Sequence, residues 1–273
     1  MPGDALALVF GRAARWMTLF TGQLRFDAAV GLSQIRRSVD NDDLRRAFEA
    51  ARAVADGDTG HPRRRFWLPE FRSPAADTAR WPVPADGARV DSNRVIDEAL
   101  HCSENGWRAE TTAYVCGPMR DGGGHESTRA LWALVIARAN GCLREAPAEC
   151  VSQLQRELVA AQPAKLDAPA ALDVSLYAER LLMLLLSDYD MKAIHTWARA
   201  LIAAQNNDGS WGVVADEEPY RRYQATSAST WALAEWLRYL VAHPGEVAPL
   251  GALRLQPPAY APGAAFWGCA LPG

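Results

Sequence analysis

The segment Asp121-Gly122-Gly123-Gly124-His125-Glu126-Ser127 gathers the groups of this chain best suited to moving a proton. A histidine beside a carboxylate can work as an acid–base pair. Three consecutive glycines cost conformational entropy on folding, so a passive linker explains them poorly. A turn that delivers His125, Glu126 and Arg129 to the N-terminus of a helix explains them better, and such a terminus favours an anion. Asp121 adds a carboxylate ahead of the glycines. The local alternative is a loop in which Glu126 and Ser127 only cap the helix. A second loop, residues 213–224, carries Tyr220, Arg221, Arg222, Tyr223 and Gln224, which suit an anionic or sugar ligand. Its Asp216-Glu217-Glu218 stretch reads as solvated. Cys116, Asp121 and His125 offer the ligand types of zinc, but their order and spacing follow no recognised pattern. His101 and Cys102 are adjacent, which makes joint ligation awkward. No cofactor is expected, and zinc at Cys116, Asp121 and His125 is the alternative.

Helices must position these groups. Apolar spacing predicts helices over residues 6–19, 26–37, 44–54, 93–100, 110–116, 125–140, 148–158, 171–186, 191–204 and 225–240. Asp42 or Asp43 is expected to cap the third of these, Asp91 or Ser92 the fourth and Asp190 the ninth, while Gly141 closes the sixth. Pro62, Pro69, Pro74, Pro82 and Pro84 exclude a long helix from residues 57–92, which read as a loop packed over the domain by Phe66, Trp67, Phe71 and Trp81. Residues 244–273 read as an irregular tail. Val213-Val214, the best β-like stretch, is too short for a strand. Some helices are one-faced and others, such as 171–186, apolar almost all round, which fits inner and outer layers. His195, beside Trp197 on an outer helix, is expected to be structural.

Residues 94–140 and 198–240 repeat one pattern: helix, Asn- or Asp-Gly turn, tryptophan, loop, apolar helix. Such a repeat means paired helices stacked on a common core. The expected fold is all-α, with paired inner and outer helices in concentric layers, as one domain over residues 1–273.

Composition excludes several function classes. A net charge of −3 with no basic stripe argues against a nucleic-acid partner, and Arg63-Arg64-Arg65 reads as a solvated loop. Apolar runs such as residues 181–186 are too short to span a bilayer, and Asp4, Arg12 and Arg15 interrupt the N-terminal apolar stretch that a signal peptide would need. Five cysteines without a compact framework suggest buried, reduced thiols and a cytoplasmic protein. Ten tryptophans are a heavy load, expected to wedge helix pairs together, with some lining a cavity as the alternative.

The segment Gln205-Asn206-Asn207-Asp208-Gly209-Ser210-Trp211-Gly212 resembles the Q-x-x-D-G-S-W-G repeat of squalene–hopene cyclases and related terpenoid cyclases. Ala225-Thr226-Ser227-Ala228-Ser229-Thr230-Trp231-Ala232-Leu233 looks like the start of that family's inner helix, and Glu110-Thr111-Thr112-Ala113-Tyr114 after Trp107 is similar. The resemblance is strong over residues 190–240 and weaker over 91–140. It implies an α/α toroid, or incomplete α/α barrel, around a central cavity, shared with protein prenyltransferase β-subunits, in which the Gln ties down neighbouring helix ends and the Trp packs beside it. Asp40-Asn41-Asp42-Asp43 matches the spacing of the D-x-D-D acid motif of class II cyclases. Carried over, Asp42 would be the acid, supported by Asp40 and Asp43, although Leu44-Arg45 replaces the family's Thr-Ala continuation.

The resulting expectation is a small enzyme binding an apolar, isoprenoid-type substrate in a central cavity, by acid–base or carbocation chemistry. Its catalytic candidates are His125, Glu126, Asp42 and Asp121; Tyr114, Arg129, Trp107, Trp211, Tyr223 and Gln224 are the substrate-binding candidates. Its partner is a small molecule, apolar or sugar-like, reached if need be by association with a membrane surface. The alternatives are an α/α-barrel lyase or epimerase for a uronic-acid-type sugar, using Tyr114, His125, Arg129 and Tyr223, and a binding scaffold without chemistry.

Overall fold

Amphipathic spacing yields the helices that it predicts. The structure, a computed structural model, describes residues 2–19, 26–39, 41–56, 90–117, 122–143, 147–166, 171–189, 192–212 and 219–243. Along these run α1 (Pro2–Thr18), α2 (Phe26–Ser38), α3 (Asp42–Asp56), α4 (Ser92–Asn105), α5 (Ala109–Cys116), α6 (His125–Ala139), α7 (Ala148–Ala161), α8 (Ala171–Leu186), α9 (Ala193–Ala203) and α10 (Pro219–Ala242). The fold is all-α, with no strand among the described residues. The expectations for residues 57–89, 213–218 and 244–273, and the cap at Asp190, lie outside those residues.

Local chemistry sets the helix ends. The Asp91 carboxylate accepts from the N–H groups of Asn93 and Arg94 at 3.0 and 2.9 Å, capping α4 as expected. The cap of α3 is Asn41 and not Asp42 or Asp43: its side-chain oxygen accepts from Asp43 N–H and Leu44 N–H at 2.9 and 3.1 Å. Asp42 and Asp43 fall one and two positions too late and occupy the first turn instead. Gly141 closes α6: its N–H donates to Arg138 O and the N–H of Cys142 to Ala137 O.

The helices fall into two compact units. In the first, α10 is central and packs on α8, α2, α1 and α9, while α3 lies against α1 and α2. Small residues allow the closest approach, Gly31 of α2 meeting Ser227 of α10. The cores of α8 and α10 are buried on nearly every side, through Val174, Tyr177, Leu181, Leu184, Trp231 and Leu237 among others. Burial pushes the Tyr177 hydroxyl up to about 12.

The second unit is built from α4–α7: α4 packs on α6, and α6 and α5 pack on α7. Here the expectation of reduced thiols is overturned. Cys102 at the end of α4 is bonded to Cys142 just past α6, and Cys116 at the end of α5 to Cys150 in the first turn of α7. Pairing depends on which helix ends meet in space, which spacing along the chain does not disclose. Helix pairs that share a small core gain stability from such cross-links.

Candidate functional site

The glycine-rich loop is pinned to α7. The Gly123 N–H donates to Ser127 Oγ at 3.0 Å, and that hydroxyl donates to Glu157 Oε2 at 3.1 Å. The other Glu157 oxygen accepts from Gln153 Nε2 at 3.1 Å. Gly123 has φ +103°, and a Cβ there would run into Ala161 and crowd the Glu157 carbonyl, so only glycine fits. The loop therefore sets the start of α6, where His125 and Glu126 stand side by side, both half-buried. Arg129, one turn on, donates to Ser92 Oγ at 2.9 Å and so ties α6 to the start of α4. Asp121 lies outside the described residues.

A second group lies on α4, of which only His101 stands out in the sequence. Arg94, Asp97, Glu98 and His101 recur at i, i+3, i+4 and i+7 and therefore share one face. Asp97 is 9%, Glu98 6% and His101 3% exposed, and Arg94 is half-buried. The rest of the helix is apolar and buried at Val95, Ile96, Ala99 and Leu100. Burying ionisable groups is costly unless they are held by partners or serve a purpose. Glu98 Oε1 accepts the Arg108 N–H at 2.8 Å where α5 begins. Glu98 Oε2 is buried with no hydrogen-bond partner among the described residues. The signal was present in the sequence as a helical period of ionisable residues, masked by the apolar period beside it.

The Gln205–Gly212 turn is a clamp within the first unit. Gln205 Nε2 donates to Val9 O of α1 at 3.0 Å and to Gly209 O at 3.1 Å. Trp211, fully buried, donates from Nε1 to Leu201 O of α9 at 2.7 Å, and its N–H donates to Thr226 Oγ1 of α10 at 3.1 Å. Arg222 reaches Asp208 and Ser210, each at 2.6 Å, and lies over the Trp16 ring. Burial opposes ionisation of Asp208, but hydrogen bonds from Ser210 and the Arg222 guanidinium outweigh it and hold its carboxyl below the ordinary value. Three helices are thus fastened by one turn.

The remaining candidates are dispersed. Asp42, Trp211, Tyr223 and Gln224 belong to the first unit; Trp107, Tyr114, His125, Glu126 and Arg129 belong to the second. The Asp42 side chain is 77% exposed and ion-paired with Arg45 at 2.9 Å, and Asp43 pairs with Arg46. That is a solvated helix start rather than an enclosed acid; Asp40 lies outside the described residues. Tyr223 is buried beside Trp16, and burial pushes its phenol far up. Gln224 is exposed and donates to Tyr220. Trp107 is half-buried and donates to Thr112 Oγ1 at 2.8 Å, and Tyr114 is half-buried on α5. Cys116 cannot ligate zinc while bonded to Cys150, and no group of three or more metal-binding side chains occurs among the described residues.

In the first unit, Glu235 of α10 is buried, accepts from Arg238 through both oxygens at 3.0 and 2.9 Å, and accepts from Trp231 Nε1 at 3.3 Å. Loss of hydration raises its carboxyl above the ordinary value, against the opposing pull of Arg238, Trp231 and Arg37. His195 accepts from Trp236 Nε1 at 3.1 Å and packs edge-on against Trp236 and Tyr239, a structural placement. No helix among the described residues is long and apolar enough to cross a membrane. Comparison with models of known protein families, with curated proteins and with solved structures found no match.

Proposed function

We propose that this chain is a small enzyme of the terpenoid-cyclase/protein-prenyltransferase kind, built as an α/α toroid and acting on an apolar, isoprenoid-type substrate by acid–base chemistry. The observation that carries the reading is the wiring of the Gln205–Gly212 turn. Gln205 reaches a neighbouring helix and Trp211 locks beside it, which is the arrangement that the resemblance implies. Asp42 drops out as the acid, because an exposed, ion-paired carboxylate has no enclosed substrate to protonate. His125 and Glu126, held at the start of α6 by the pinned glycine loop, stay in the reading as acid–base groups. The two cystines remove the premise of a cytoplasmic protein, and the reading places the folded chain in an oxidising compartment.

One observation favours the binding-scaffold reading: α10 fills the middle of the first unit, with its central turns buried on all sides. The two are separated by incubating the purified, oxidised protein with a linear triterpene and, separately, a prenyl diphosphate, then analysing extracts by gas chromatography–mass spectrometry. The enzyme reading predicts a new isomeric or cyclised product, and recovery of both compounds unchanged despite measurable binding favours the scaffold.

A further inference from the structure

We infer that Glu98 and His101 of α4 form a proton-transfer pair in addition to His125 and Glu126, with Glu98 Oε2 as an atom that meets the substrate. This rests on the acid–base part of the proposed function and names residues outside its starting set.

Glu98 is fixed by one oxygen and open at the other. The Arg108 N–H holds Oε1 at 2.8 Å, which orients the carboxyl, while Oε2 is buried and has no hydrogen-bond partner among the described residues. Thr111 Oγ1, one turn beyond Arg108 on α5, is likewise buried without a partner among them. An unpaired buried oxygen is expensive unless a ligand supplies the missing partner. His101 follows Glu98 by three residues, the spacing that places two side chains as neighbours on one helix face. It is almost fully buried, and the Cys102–Cys142 bond fastens the helix at the very next residue.

The chemistry balances without a further reactant. Protonated His101 gives its proton to one alkene carbon; a C–H bond forms, the π bond breaks and the neighbouring carbon becomes cationic. Ionised Glu98 takes a proton from an adjacent carbon at Oε2, and that C–H pair becomes the new π bond. The substrate leaves as an isomer; Glu98 then releases its proton to water and His101 takes one up from water, which resets the pair.

The test is covalent capture. The oxidised protein is treated with a terpene carrying a terminal epoxide and, separately, with a small water-soluble epoxide, then digested for peptide mass spectrometry. Attack by Oε2 opens the ring, forms an ester and leaves an alkoxide that takes up a proton. Labelling of Glu98 by both reagents is expected and supports the pair and the isoprenoid reading together. Labelling by the small epoxide alone supports the pair and sinks the isoprenoid substrate. Absence of label on Glu98 while exposed carboxylates such as Asp42 react overturns the pair. Where turnover is measurable, Glu98→Gln keeps the acceptor for the Arg108 N–H and is expected to lower kcat by roughly a hundredfold or more at unchanged Tm. Unchanged kcat would overturn the pair and leave the isoprenoid reading standing.

Discussion

Opening the two disulfides should loosen the second unit and leave the first intact. The Cys102–Cys142 and Cys116–Cys150 bonds close spans of 40 and 34 residues. On the loop-entropy argument each restrains the unfolded chain by about 4 kcal/mol. The spans interlace, since Cys116 lies inside the first loop and Cys142 inside the second, so the second closure adds less than the first. One bond joins α4 to the end of α6 and the other joins α5 to α7; together they touch every helix of the unit. Hydrogen–deuterium exchange read by mass spectrometry resolves the effect by segment. With a protein carrying Cys102→Ala, Cys116→Ala, Cys142→Ala and Cys150→Ala, peptides from α4 and α7 are expected to lose roughly three orders of magnitude of protection or more, since one bond alone is the equivalent of about 4 kcal/mol. Peptides from α8 and α10 should exchange as before. Equal protection in α4 and α7 with and without the bonds would refute the reasoning, and so would an equal loss in α8 and α10.

Other perturbations give sharper local answers. Gly209 has φ +95°, and a Cβ there would run into the Arg12 carbonyl, so Gly209→Ala should cost about 1–3 kcal/mol in chemical denaturation. Trp211→Phe removes the donor to Leu201 O inside the core and should cost a similar amount, about 1–3 kcal/mol. Because burial raises the Glu235 carboxyl above its ordinary value of 4.5, the folded state holds that proton more tightly than the unfolded state. Its contribution to stability therefore falls as pH rises from the unfolded value through the raised folded value. The Tm of Glu235→Gln relative to wild type should climb across that window, and a flat difference would show that Arg238 fully offsets the burial. Asp42→Asn touches only an exposed pair with Arg45 and should change stability by less than about 0.5 kcal/mol, with turnover intact.

Most helices were legible because their apolar residues keep one period over several turns: 171–186 is reproduced residue for residue, and 125–140 to within one. The start of α10 was not. Residues 213–224 read as a loop, yet α10 begins at Pro219, a residue suited to the first turn of a helix. The Gln205 and Trp211 contacts were foreseeable in kind, since a turn motif carries its own geometry. Their targets, Val9 O in α1 and Leu201 O in α9, were not, because one of them lies far away along the chain. The cystines were hidden for the same reason. Asp42 misled because a run of acids looks alike whether it lines a cavity or starts a helix, and only burial separates the two. The α4 face shows the reverse: its burial, invisible in sequence, is what turns Glu98 and His101 from surface charges into candidates.

The central claim is that this chain moves protons on an apolar substrate. Incubating the oxidised protein with a linear triterpene in heavy water, and recording the mass of whatever is recovered, tests it most directly. Proton delivery at one carbon and removal at another predicts an isomer carrying one solvent-derived deuterium, lost in Glu98→Gln. Substrate that binds and returns unchanged, without deuterium, would contradict the account and leave the protein a scaffold.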